Sequence, residues 1–235
     1  MYQSISISST PYSSPAPREL SALNDAIARP RIGSQSGFRQ GLLRRLRRER
    51  RRRKVGRAYD MALEVAQSIP AGARVLDIGC GNGYIAHHLS GMRHAEVTGI
   101  DLEPATEAPI RYRQYDGFNF PVEKASIDAA LLCYVLHHTQ DLGAVLLELR
   151  RVLCSGGVAV VYEDIPESGW DRLMCSIHDL KWRKRTGPCT FRTVAEWRSV
   201  FNFHGFEVAT ERRLSRWRNI VYPVRRRCYV LKVSS

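Results

Sequence analysis

VLDIGCGNGY, residues Val75 to Tyr84, joins an apolar run of strand character to a helical pattern, IAHHL, through a turn built on three glycines. A strand, a glycine-rich turn and a helix in that order mark the place where an open α/β sheet binds a nucleotide-like ligand. Gly79, Gly81 and Gly83 follow the spacing GxGxG. That spacing removes side chains where the chain turns sharply and where a ligand lies against bare backbone. The dinucleotide fingerprint asks for a small residue one place after Gly83, where Tyr84 stands, and no Gly-Lys-Ser/Thr follows as in a phosphate loop. Both common nucleotide motifs therefore fit poorly.

Beyond the helix, EVTGIDLEP reads as a second strand ending at Asp101, 22 residues after Gly79, where a carboxylate can accept both hydroxyl protons of a ribose. A third short strand, IRYRQYD, ends at Asp116, followed by Gly117. A fourth, SIDAALLCYVLHH, is apolar from Ile127 to Leu132. Taken singly, each aspartate is best read as a turn or cap residue. Asp77, Asp101 and Asp116 at the ends of successive strands, however, share the sheet edge outside which ligands bind.

VLDIGCGNGY, GIDLEP, QYDGFNFP, SIDAALLCYVLHH and LRRVLCSGGVAVVYED, in this order, resemble the successive motifs of class I S-adenosylmethionine-dependent methyltransferases. The likeness is greatest to the broad group that includes quinone-biosynthesis methyltransferases, and it covers roughly residues 55 to 235. It implies a Rossmann-like α/β fold: a seven-stranded, mostly parallel sheet with helices on both faces and an antiparallel last strand inserted between the fifth and sixth. It also implies S-adenosylmethionine as cofactor and S-adenosylhomocysteine as product. On this resemblance Asp77, Gly79, Cys80, Gly81 and Gly83 hold the methionine end, Asp101 the ribose, Leu102 the adenine face and Asp116 the adenine amino group. Gly117 and Tyr134 belong to the same site. A sulfonium cofactor carries a positive sulfur, an ammonium and two ribose hydroxyls, which suits a rim of carboxylates. Its methyl group is already activated, so the enzyme has mainly to align an acceptor with it.

Length and composition agree with one catalytic domain. The chain has 235 residues, 44% of them hydrophobic. No apolar run reaches the ~18 residues that suggest a membrane span, and the first residues lack the apolar core of a secretory signal. The expectation is a cytosolic protein. Six cysteines without a CxxC pair read as reduced thiols, with neither a disulfide framework nor a metal site.

Residues 1–40 are rich in Ser and Pro and read as a disordered tail. The segment 41–56 reads as a basic helix, and 57–235 as the methyltransferase domain. Arg44 to Lys54 holds nine cations and one Glu, a net +8 of the chain's +13, so the positive charge is local. The plain reading is a solvated helix face. Three others are an anionic membrane surface, with Phe38, Leu42, Leu43 and Leu46 as apolar contacts, RNA phosphates, and an organelle transit segment.

Leu142, Val145, Leu146, Leu149 and Val152 recur at helical spacing, and SGG leads into a fifth strand, VAVVYED. Thr193 and Glu196 form a capping box for a helix with Trp197, Val200 and Phe201 inward and Gly205 at its end. FEVATERRL and RRRCYVLKV are the last strands. After the fourth strand stands Cys133-Tyr134-Val135-Leu136 rather than the Asn/Asp-Pro-Pro-aromatic run of methyltransferases acting on base amino groups, so that chemistry is disfavoured. His137 and His138 are the candidate general bases for an acceptor hydroxyl, with loop packing as the plain alternative. Glu163 and Asp164, closing the fifth strand, point to the acceptor by the strand-end rule and are candidates to orient a substrate or, with a histidine, to hold a divalent metal, although no ligand spacing demands one; capping is the plain alternative. The insert at about 166–190 is a candidate substrate wall. In it Trp170, Met174, Trp182 and Phe191 are candidates for an apolar lining, and Arg183, Lys184 and Arg185 for binding an acidic group. The reading that follows is methyl transfer to a small acceptor, lipophilic ones included, at oxygen or carbon. The alternatives are an RNA methyltransferase and a non-catalytic cofactor-binding protein attached to RNA or membrane by the basic arm.

Overall fold

The computed structural model describes residues 36–234. The expected tail lies outside the described residues up to position 35, and its last five positions open a helix instead. That helix, α1 (Ser36–Ala66), takes in both the basic run and the GRAYDMALEVA stretch. The chain divides into two units, residues 1–54 and 55–235. In the first, Arg53 and Glu49 pair at 3.2 Å one helical turn apart on exposed side chains, a contact that contributes little to stability.

The second unit holds the sheet: β1 (Arg74–Ile78), β2 (Glu96–Asp101), β3 (Arg111–Gln114), β4 (Ile127–Cys133), β5 (Leu153–Ile165), β6 (Phe206–Leu214) and β7 (Arg225–Val233). Its order is β3-β2-β1-β4-β5-β7-β6, parallel except for β7, which pairs antiparallel with β5 and β6. Helices α2 (Tyr84–Arg93), α3 (Leu142–Val152), α4 (Gly169–Thr186) and α5 (Val194–Phe203) complete it, with a 3-10 turn at Leu136–His138.

Strands buried on both faces read as continuous apolar runs, and alternation sends neighbours to opposite cores. Leu76, Leu132 and Val161 join Leu146, Leu149, Trp197 and Phe201 in one cluster. Val75, Leu131 and Val160 join Val65, Ile69 and Leu89 in the other. Asp141 caps α3 by accepting from Ala144 N at 2.9 Å. The Thr193–Glu196 capping box starts α5 as expected, and a second box, Ser168 with Asp171, starts α4. β5 begins five residues earlier than the VAVVYED run, directly after α3. The register shifts between the Ile127–Leu153 and Ala129–Val158 pairs, so SGG lies in an irregularity of the strand rather than in a turn before it.

The strand order reverses at β1, which has β2 on one side and β4 on the other. Connections diverge there, and a crevice opens above the carboxyl ends. The glycine turn follows β1, and Tyr134 follows β4. Among the described residues no helix is long and apolar enough to cross a membrane.

Candidate active site

The turn after β1 is held before any ligand arrives. Gly79 N and Cys80 N donate to Ile100 O at 2.8 and 3.1 Å. Gly79 has φ +65°, and a Cβ there would lie 2.6 Å from Val135 Cγ2, so both conformation and space demand glycine. Gly81 has φ +53° with nothing within 4 Å of where its Cβ would be, which leaves bare backbone facing open room. Its N–H donates to Asp101 Oδ2 at 2.7 Å, and Glu103 N donates to Oδ1 at 3.2 Å. A carboxylate offers about four acceptor positions, so Asp101 has two left for ribose hydroxyls.

Asp77 lies in β1 beneath the turn, 2% exposed, and its Oδ2 has no hydrogen-bond partner among the described residues. Burial first, and the nearby Asp101 charge second, push its carboxyl up to about 8. An orphaned acid at this place fits the ammonium of the methionine moiety. Leu102 is 51% exposed beyond Asp101, open to stack on a flat ring. A Cβ on Gly117 would come within 3.3 Å of it. Asp116 lies two residues past β3 in a tight turn of its own. Oδ1 accepts from Phe118 N at 2.8 Å and Asn119 N at 2.7 Å, and Oδ2 from Asn119 Nδ2 at 2.8 Å. The Asn119 side chain, then these backbone donors, lower its carboxyl to about 2. It is an anion with most of its acceptor capacity engaged. Gly99 was not anticipated as a site residue: a Cβ there would meet Cys80 Sγ at 2.7 Å, so it lets the Cys80 side chain fold under the turn.

Beside Tyr134, which has φ +62°, lies a cavity of about 530 Å³. Arg57 and Met61 of α1, Tyr134, Tyr162 and Asp164 at the strand ends, His178 of α4, and Tyr222 and Arg226 line it. Arg226 Nε is 2.9 Å from Asp164 Oδ1, with both residues buried. Its guanidinium carbon is 5.5 Å from the Tyr134 ring centre and 5.6 Å from that of Tyr222. Nη2 donates to Tyr222 O at 2.9 Å, and Nη1 has no partner among the described residues.

Glu163 and Asp164 are consecutive in a strand and face opposite ways. Asp164 lines the cavity, and Glu163 is fully buried on the other side. There Glu163 Oε1 accepts from Leu136 N at 2.8 Å, and Oε2 is 2.6 Å from His137 Nδ1. His137 has no exposed surface. Burial lowers its pKa, but the Glu163 charge and hydrogen bond outweigh that and raise it. His138 Nε2 is 3.2 Å from His178 Nε2. Burial is the main reason these imidazoles fall, to about 3 for His138 and about 4 for His178, so both are neutral at pH 7. The lining includes neither His137 nor His138, whereas His178 of α4 is part of it.

The expected substrate wall is only partly where the sequence placed it. Trp182 stacks on His178 with ring centres 6.0 Å apart instead of lining the cavity. Trp170 donates outward to Pro223 O at 3.2 Å. Arg183 pairs with Asp179 and Arg185 with Glu103. Of the two arginines that line the cavity, Arg57 is exposed and Arg226 is buried, because its strand lies between β5 and β6 and is covered.

The fold and the glycine turn at its switch point define a Rossmann-like methyltransferase. The chain belongs to the class I S-adenosylmethionine-dependent methyltransferases: a family model described as a methyltransferase domain matches residues 46–211. Among relatives, the tRNA (carboxymethyluridine(34)-5-O)-methyltransferase ALKBH8 of Macaca fascicularis is 32% identical over 108 residues, 43% of this chain and 16% of that protein. The ubiquinone biosynthesis O-methyltransferase of Xanthomonas axonopodis pv. citri is 33% identical over 100 residues, 37% of this chain and 41% of that one. The chain thus spans less than half the length of either relative. A geranyl diphosphate methyltransferase, solved with GPP and sinefungin, superposes with a TM-score of 0.60 at 15% identity, over 74% of this chain and 76% of that one.

Proposed function

We propose that this chain transfers the methyl group of S-adenosylmethionine to a small acceptor, at oxygen or carbon. The observation that carries the reading is the cavity of about 530 Å³ beside Tyr134, a volume suited to a small molecule. Asp77, the glycine turn and Asp101 would hold the cofactor, which supplies an activated methyl. The chain's own part is alignment. Three tyrosines and Met61 cover apolar surface and exclude water, while Arg226 Nη1 is free to donate to an oxygen of the acceptor, a carbonyl or an acidic group. A proton leaving an acceptor hydroxyl meets Asp164 of the cavity lining, since His137 is sealed from the cavity. On this reading Asp101→Ala leaves the fold intact and weakens S-adenosylhomocysteine binding, because a lost hydrogen bond to a buried polar ligand group costs ~1–3 kcal/mol, roughly fivefold to more than a hundredfold. Calorimetry showing unchanged affinity would remove Asp101 from the site.

A second reading, RNA methylation, is favoured by the nine cations between Arg44 and Lys54 and by the likeness to a tRNA methyltransferase. Labelled methyl transferred from S-adenosylmethionine into cell extract separates the two. Label in organic-soluble or small-molecule fractions is expected. Nuclease-sensitive label would replace the small-acceptor reading with the RNA one. Cofactor binding without any labelled product would favour a binding protein.

A further inference from the structure

We infer that His137, His138 and His178 form a binding site for a divalent cation of the zinc class in the wall of the acceptor cavity. This goes beyond methyl transfer and does not depend on it. One ring nitrogen from each of the three histidines lies within 4.8 Å of the other two. His138 Nε2 and His178 Nε2 are 3.2 Å apart, close to the ~3.3 Å between two ligands on a tetrahedral zinc with Zn–N of about 2.0–2.1 Å. Two elements far apart in sequence supply the rings: the 3-10 turn after β4 and the middle of α4.

The surroundings of His137 are those of a metal ligand. A ligating histidine commonly gives its other ring nitrogen to a carboxylate, which fixes the tautomer and aims the ring. Here Nδ1 lies 2.6 Å from Glu163 Oε2, and Glu163 is itself anchored by Leu136 N at 2.8 Å. The remaining nitrogen, Nε2, belongs to a residue with no exposed surface and has no hydrogen-bond partner among the described residues. A bound cation would supply that partner. His138 is steadied through Nδ1, 3.1 Å from Thr186 Oγ1, which leaves its Nε2 for the ion. His178 lines the cavity, so a cation has a route in. Imidazole donors select zinc, cobalt or nickel over magnesium and calcium, which prefer oxygen.

The competing use of the same rings is a packed aromatic cluster. His137 stacks on Phe191 at 4.7 Å, and an N–H···N bond can join His138 to His178. That arrangement needs no ion. The full chain, stripped with a chelator, is titrated with zinc chloride by calorimetry and with cobalt chloride by visible spectroscopy. Expected are one tight equivalent of zinc and a tetrahedral cobalt spectrum without the charge-transfer band of a thiolate. His138→Gln and His178→Gln should each lower zinc affinity by about 100-fold or more. Glu163→Gln, which still hydrogen-bonds, should lower it by about 10- to 100-fold. Circular dichroism establishes that each variant is folded, and the wild-type cobalt spectrum decides the matter if a variant is not. Absence of saturable one-to-one zinc binding overturns the site. So does a thiolate-type cobalt spectrum, or unchanged affinity in folded His138→Gln/His178→Gln. Methyl transfer is not read in any of these measurements, so its failure leaves the result standing.

Discussion

Arg226→Ala is expected to lower the unfolding free energy by about 3–5 kcal/mol, the usual cost of stranding one partner of a buried ion pair. Arg226 and Asp164 are 4% and 3% exposed with 2.9 Å between Nε and Oδ1, so water can replace little of what the guanidinium supplies. The substitution also empties the space between the Tyr134 and Tyr222 rings. A fall in the urea midpoint with an unchanged slope would report lost stability in a native state that still folds. Replacing the pair together, Arg226→Met with Asp164→Leu, should restore much of the loss, because apolar residues of similar size often do as well as a buried pair. The double variant should still fail to process an acceptor that needs Nη1. A cost below about 1 kcal/mol for Arg226→Ala would show that the pair is solvated.

S-adenosylhomocysteine is expected to bind more tightly as pH rises from 6 toward 8, by up to about tenfold per pH unit. With its carboxyl pushed up to about 8, Asp77 holds a proton in the unliganded protein at pH 6 to 7. Pairing with the ligand's ammonium requires the carboxylate, so binding releases that proton, and raising the pH assists the release. Calorimetry in buffers of different ionisation enthalpy counts it. Asp77→Asn should bind weakly and with a flat profile over the same range. Stability runs the other way. The folded pKa exceeds the unfolded value of 3.8, so the contribution of Asp77 to unliganded stability is complete below about pH 4 and is lost as pH rises through about 8. A ligand affinity that does not change between pH 6 and 8 would mean that Asp77 is not paired with the ammonium.

Local signals in the sequence carried the sheet. β1, β2, β6 and β7 run as the apolar pattern suggested, and the inserted antiparallel strand follows the family resemblance. Where the pattern misled, a bulge or a helix was the cause. SGG reads as a turn because glycines usually make one, yet here the strand accommodates it as an irregularity. The segment 41–56 reads as a helix and is one, but Gly56 at its end does not stop it, and α1 runs on to Ala66.

The cofactor residues are contiguous motifs and were legible for that reason. The acceptor cavity was not, since Arg57, His178 and Arg226 come from segments more than 40 residues apart and meet only in the fold. Arg226 sits in a run of three arginines that suggests solvent, and only the central place of β7 buries it. Period-two alternation in β5 could have told Glu163 from Asp164, because consecutive strand residues cannot face the same pocket. The pairing of Glu163 with His137 has no sequence signature at a separation of 26 residues.

The place of β7 also orders the events of synthesis. β6 precedes β7 along the chain, yet among the described residues β7 is its only neighbour in the sheet, between it and β5. On a ribosome, residues 206–214 are made with no docked strand to pair with, and must wait until residues 225–233 have emerged and slid into the gap. Arg226 arrives with that last strand. The cradle for the cofactor can therefore form before the wall that shapes the acceptor cavity is complete.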